Sequence, residues 1–105
     1  MRICVFGAGA MGGLLGARLA AAGENVSLVA RGSHLAAMRR NGLRLVGREG
    51  EIVVTPPCTD NAASLGVQDV VVLAVKATAL RGAADAVRPL LGPDTVLVPA
   101  LNGVP

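Results

Sequence analysis

Arg2-Ile3-Cys4-Val5-Phe6-Gly7-Ala8-Gly9-Ala10-Met11-Gly12-Gly13 decides how the rest of the chain is read. A short apolar run is followed by glycines at 7, 9 and 12, then by a helix-forming segment to Ala22. A G-x-G-x-x-G that leaves a strand and opens a helix is a dinucleotide-binding fingerprint. Gly7 permits the tight turn out of the strand. Gly9 lacks a Cβ, so a pyrophosphate can approach the backbone, and Gly12 lets the helix pack close to the strand. The helix N-terminus then offers free N–H groups and the positive end of its dipole. Gly7, Ala8, Gly9, Ala10, Met11 and Gly12 are therefore candidate cofactor-binding residues. The alternative is a glycine turn with a purely structural role.

Asn25-Val26-Ser27-Leu28-Val29-Ala30 alternates and is rich in β-formers, so it reads as a second strand. An NAD-binding unit places an acid near this point, about 20 residues after the glycines, to accept from the ribose 2′-OH. Here the residues are Ala30 and Arg31. A guanidinium is a planar fork of donors suited to a 2′-phosphate. The missing acid and the present base both favour NADP(H) over NAD(H). Arg31 as a solvated loop residue is the alternative. Ser33 and His34 could add donors, or serve as a helix N-cap and a surface residue.

Elsewhere the pattern is repeated βα, which predicts a doubly wound, mainly parallel α/β sheet with helices on both faces. Strand one covers about 1–6 and helix one about 10–22, ended by Gly23. Helix two covers about 33–41, ended by Gly42. Residues 43–46 and 51–55 resemble a small hairpin that could join the main sheet, closed by Pro56-Pro57. A short helix or turn is expected within 59–66. Asp69-Val70-Val71-Val72-Leu73-Ala74-Val75 reads as a central buried strand. A helix over 78–91 and a strand over 95–98 follow. Ligands of such sheets bind outside the carboxyl ends of the strands. That rule singles out Lys76 and Asn102, which follow the last two strands. Their alternatives are a lysine turned to water and an ordinary Asn-Gly turn.

The 105 residues fit one domain. They are 52% hydrophobic, 16% charged, and hold a single aromatic residue, Phe6. Without rings for base stacking, a single-stranded nucleic-acid platform is disfavoured. The net charge of +3 is spread along the chain, which suits weak attraction for anionic cofactors and gives no nucleic-acid footprint. Cys4 and Cys58 form no C-x-x-C or zinc spacing, and a reducing, cytoplasmic setting is expected. No secretory signal or membrane-spanning run is expected.

Taken together, the opening glycine block, Arg31, Val75-Lys76-Ala77 and Leu101-Asn102-Gly103-Val104 resemble the N-terminal domain of ketopantoate reductases (2-dehydropantoate 2-reductases). The resemblance runs over essentially all 105 residues. It implies NADPH-dependent reduction of a small 2-oxo acid, ketopantoate, in pantothenate biosynthesis. It implies that Gly7, Gly9 and Gly12 hold the pyrophosphate and Arg31 the 2′-phosphate. Lys76 and Asn102 would contact the cofactor and border the substrate pocket.

Members of that family carry a second, helical domain with the catalytic lysine and an acidic substrate-binding residue. Hydride transfer to a ketone needs a group that polarises the carbonyl and supplies a proton. No residue of this chain matches that role, and Lys76, its one lysine, is not the family's catalytic one. The expectation is a domain fragment or truncated product that binds NADP(H) weakly and turns over little. Exposed apolar surface would then favour self-association. The competing readings are a stand-alone NADP(H)-binding module without catalysis, and another two-domain dehydrogenase of the hydroxyacid or 6-phosphogluconate type.

Overall fold

A computed structural model describes residues 1–7, 10–48, 50–75 and 80–100, with the backbone alone at 10, 11 and 80. Seven strands are found among them: β1 (Arg2–Phe6), β2 (Asn25–Val29), β3 (Leu43–Gly47), β4 (Gly50–Val54), β5 (Cys58–Thr59), β6 (Val70–Leu73) and β7 (Val96–Pro99). The helices are α1 (Ala10–Ala21), α2 (Gly32–Asn41) and α3 (Leu80–Val87). Single 3₁₀ turns cover Ala62–Ser64 and Arg88–Leu90. None of the described helices is long and apolar enough to cross a membrane.

Five strands form one sheet in the order β5-β2-β1-β6-β7. Each neighbouring pair is parallel. β1 lies at the centre, with Val5 opposite Leu28 on one side and Val72 on the other. Such a strand is covered on both faces and should be apolar throughout. Ile3, Cys4, Val5 and Phe6 are all buried.

Alternation divides those residues between two cores. Ile3 and Val5 join Val26, Leu28 and Val72 beneath Leu15 and Leu19 of α1 and Met38 of α2. Cys4 and Phe6 join Val29, Val71 and Leu73 beneath Ala83 and Val87 of α3. The expected doubly wound fold, with helices on both faces, is therefore present.

Two local expectations are corrected and one strand is added. The hairpin β3–β4 does not join the main sheet; it is a separate two-stranded antiparallel sheet. It packs on the α1 side, where Leu43 reaches the first core. The short helix or turn expected within 59–66 is present as the 3₁₀ turn Ala62–Ser64, and a strand that was not expected precedes it. β5 pairs with β2 through Leu28–Cys58 and Val29–Thr59, and is too short to show a period. The last helix changes to a 3₁₀ turn at Arg88, where Pro89 has no N–H for an α-helical bond. Its expected start at 78–79 lies outside the described residues.

Among the described residues β7 is an edge strand of the sheet, and Pro99 is tolerated there because Val96 and Ala100 donate toward β6 while the place of the missing Pro99 N–H faces away. Its Val96, Leu97 and Val98 remain 56%, 44% and 41% exposed.

α1 sits unusually close to β1. A Cβ on Gly12 would run into the carbonyl oxygen of Gly7 and lie 3.3 Å from the Ala74 Cβ. A Cβ on the next residue, Gly13, would meet nothing nearer than Leu43 Cδ2 at 3.9 Å. Gly12→Ala should therefore cost about 2 kcal/mol or more, since backbone must move. Gly13→Ala should gain about 0.5–1 kcal/mol from helix preference. Urea denaturation midpoints of the two variants would check this opposite pair of effects.

Cys4 has no solvent exposure, and burial pushes its thiol from 9.0 up to about 12. Between those values the unfolded chain loses the proton and the folded chain keeps it. Stability contributed by the neutral thiol is thus complete below pH 9 and lost as pH rises toward 12. The expected slope is at most about −1.4 kcal/mol per pH unit. Cys4→Ser or Cys4→Ala should flatten that limb in urea titrations run from pH 8 to about 10.5.

Candidate functional site

All five strands of the main sheet end at one edge, and hydrogen bonds carry the ladder one step further. Gly7 N–H donates to Val29 O at 2.9 Å and Ala30 N–H to Thr59 O at 3.0 Å. On the other flank Ala74 N–H donates to Phe6 O at 2.8 Å and Ala100 N–H to Leu73 O at 2.9 Å. From β1 the chain moves outward through β2 to β5, then returns to β6 on the opposite side. The reversal places a crevice at the carboxyl ends of β1 and β6, where ligands of open α/β sheets bind.

Gly7 occupies that position. Its φ is +106°, and a Cβ there would strike the carbonyl oxygen of Ala74 and approach Val75 Cγ1 to 3.0 Å. Only glycine satisfies both the left-handed backbone and the lack of space. α1 begins three residues later and carries no acid in its first turn. Its N–H groups and dipole therefore meet no competing negative charge from the helix itself. Gly12 is buried behind them. Ala10 and Met11 head α1, and Ala8 and Gly9 lie outside the described residues.

Arg31 leaves the end of β2 at the same edge. It takes the N-cap position of α2 in extended conformation, with φ −132° and ψ 159°, and its side chain makes no capping bond. The guanidinium is exposed and unused by the helix. Ser33, considered from sequence as that cap, instead falls inside the first turn, because α2 begins at Gly32. Ser33 and His34 are both exposed there, and α2 too lacks an acid in its first turn. Lys76 and Asn102 lie outside the described residues.

A cavity of about 210 Å³ opens beside Arg31. Phe6, Val29, Ala62 and Ala86 give it an apolar lining, and Asp60, Asn61 and Asp85 add polar groups. Asp60, Asn61 and Asp85 escaped the sequence reading. Asp60 and Asn61 are placed by β5, whose two residues carry no periodic signal. The cue available was the polar Thr59-Asp60-Asn61 run after Pro56-Pro57. A larger cavity, about 380 Å³, lies near the opposite edge against Glu24, Asn25, Pro56 and Pro57. It has neither the glycine turn nor a cation in its lining, so its size does not make it the better nucleotide site.

The carboxyl edge thus combines glycines at 7 and 12 where a Cβ has no room, a helix N-terminus, an arginine fork and a small, largely apolar cavity. That set can bind a phosphorylated dinucleotide. Among the described residues there is no group of three His, Cys, Asp or Glu able to hold a metal.

Known proteins share this fold. Residues 3–105 match the family model for ketopantoate reductase PanE/ApbA. A 2-dehydropantoate 2-reductase of Mesorhizobium japonicum is 50% identical over 106 aligned positions, covering 100% of this chain and 32% of its own length. A crystal structure assigned to a ketopantoate reductase of Ralstonia solanacearum MolK2 superposes with TM-score 0.90 at 52% identity, over 99% of this chain and 32% of that one. A D-mandelate dehydrogenase solved with NADH and anilino(oxo)acetate superposes with TM-score 0.84 at 26% identity, over 100% of this chain and 35% of that one. The chain spans about a third of the length of these relatives. It belongs to the ketopantoate reductase PanE/ApbA family.

Proposed function

We propose that this chain is the NADP(H)-binding domain of a 2-oxo acid reductase, with 2-dehydropantoate as the substrate. The observation that carries the cofactor reading is Arg31. It stands free at the carboxyl edge, one residue beyond the last β2 hydrogen bond, where an NAD-selective unit would hold an acid. A D-mandelate dehydrogenase of similar fold was solved with NADH, so the preference for NADPH is not assigned to the fold. The choice belongs to the side chains at this edge.

In this reading the N–H groups at the start of α1 hold the pyrophosphate, and Gly7 and Gly12 keep the backbone near it. Arg31 grips the 2′-phosphate through two parallel N–H donors. When bound, NADPH supplies the hydride that reduces the 2-oxo carbonyl. Lys76 and Asn102 border the substrate by their place after β6 and β7 in the chain. The group that protonates the carbonyl oxygen belongs to the part of the relatives that this chain does not span. The name of the Mesorhizobium relative supports ketopantoate as the substrate. The 105 residues alone should bind nucleotide and turn over little. Self-association through the exposed flank of β7, and a cytoplasmic setting, are parts of the same proposal.

Calorimetric titration tests it. NADPH should bind at least about tenfold more tightly than NADH, a difference of about 1.4 kcal/mol. Arg31→Ala should erase the difference by weakening NADPH alone, and Arg31→Lys should restore only part of it, since an ammonium lacks the planar fork. Equal binding of both nucleotides to the folded wild-type chain would overturn the NADP(H) assignment.

A further inference from the structure

The cavity beside Arg31 contains a carboxylate that the phosphate-binding reading leaves unexplained. Asp60 follows β5 as Arg31 follows β2, and the Ala30 N–H to Thr59 O bond of 3.0 Å ties the preceding residues together. The two side chains therefore leave adjacent parallel strands next to each other, and both line the cavity. They form no ion pair among the described residues, where the salt bridges are Arg44–Glu51 and Arg88–Asp85. An acid here weakens an anion site, so a role with a hydrogen-bond donor accounts for it better than one with phosphate.

The turn around Asp60 is internally braced. Asn61 N–H donates to Thr59 Oγ1 at 3.1 Å, Ala63 N–H to Asn61 Oδ1 at 3.2 Å, and Ser64 Oγ to Asn61 O at 2.7 Å. Those bonds occupy the neighbours of Asp60 and leave its own carboxylate without a hydrogen bond among the described residues. Asp85 of α3, the other acid in the lining, lies 3.8 Å from Arg88 at the start of the following 3₁₀ turn. Asp60 is thus the acceptor held ready at the cavity mouth.

The volume limits the occupant. About 210 Å³ is below the roughly 300–1,000 Å³ of sites that enclose a whole small molecule. One flat ring system fits that size and the apolar lining of Phe6, Val29 and Ala62. A nucleotide whose 2′-phosphate meets Arg31 has its base attached to the same ribose. An ionised carboxylate only accepts hydrogen bonds. It accepts from the 6-amino group of a purine, whereas a 6-oxo group presents lone pairs at that point and leaves the ring's donor on N1.

We propose that Asp60 is a specificity-determining residue that reads the 6-amino group of the adenine ring seated in this cavity. The inference rests on the nucleotide reading above and adds to it a choice between 6-amino and 6-oxo purines.

The test compares binding of NADPH, NADH and reduced nicotinamide hypoxanthine dinucleotide phosphate, in which oxygen replaces the 6-amino group. Wild-type chain should prefer NADPH over the hypoxanthine analogue by about tenfold or more, because the 6-oxo group turns lone pairs toward the carboxylate and the ring's remaining donor, N1–H, lies at a different point. Asp60→Asn should bring the two within about twofold, since an amide can donate or accept. The NADPH-to-NADH ratio should not change. Asp60 is exposed, and unchanged thermal unfolding would show that the variant folds. Equal binding of NADPH and the analogue by wild type would overturn the base assignment while leaving the nucleotide reading intact. So would an Asp60→Asn effect confined to the NADPH-to-NADH ratio, which would place the carboxylate at the ribose. Failure of folded wild type to bind any of the three would overturn both.

Discussion

The structure depends on an approach that leaves no room for a Cβ between the first strand and the first helix. Gly12 lies against the Gly7 carbonyl, and Gly7 lies against the Ala74 carbonyl of the strand on the other side. Three backbone segments therefore meet without side chains between them. This contact seats α1 on β1 and brings its N-terminus to the carboxyl edge. It also joins that edge to β6, across the point where the strand order reverses. The same lack of side chains that lets the segments pack would let a pyrophosphate reach the N–H groups. Fold and binding surface are consequences of one steric constraint.

The two faces of the sheet then take different duties. On the α1 face, Leu15, Leu19 and the hairpin residue Leu43 close over Val5 and Leu28. Gly16 follows the same logic as Gly12: a Cβ there would lie 2.7 Å from Leu28 Cδ2. On the α3 face, Cys4 and Phe6 contact Ala83 and Val87, and the lining continues outward to the cavity beside Arg31. Phe6, the chain's one aromatic residue, belongs to both the core and that cavity. A substitution there would disturb packing and the binding edge together. At the far side of the sheet, among the described residues, β7 pairs with β6 on one side and its Val96, Leu97 and Val98 are exposed. A free, apolar strand edge is an adhesive surface.

The central elements were legible because their signals are physical and local. β1 and β6 show the apolar runs of doubly covered strands, and Gly7 and Gly12 mark the turn by what they lack. Gly23 and Gly42 led to expected helix ends at about 22 and 41, within a residue of the observed Ala21 and Asn41. Arg31 was singled out by the absence of an acid after β2, and the structure places it exposed at the N-cap of α2. Other features were not readable for equally definite reasons. β5 owes its existence to pairing with β2 and has two residues, too few for any alternation. Whether β3–β4 joined the main sheet depended on packing against α1, which no pattern within the hairpin records. Asp60 and Asp85 are distant in sequence, and only the fold brings them to one cavity. The expectations for Ala8, Gly9, Lys76 and Asn102 fall outside the described residues.

The central claim is that nucleotide binds at the carboxyl edge, between the glycine turn and Arg31. Backbone amide shifts of isotopically labelled protein titrated with NADPH measure this directly. The account requires the largest changes at Gly7, Gly12, Arg31 and the Asp60–Ala63 turn, with little change at the amino ends of the strands. Changes centred instead on Glu24, Val26 and Thr55, around the larger cavity at the opposite edge, would contradict it.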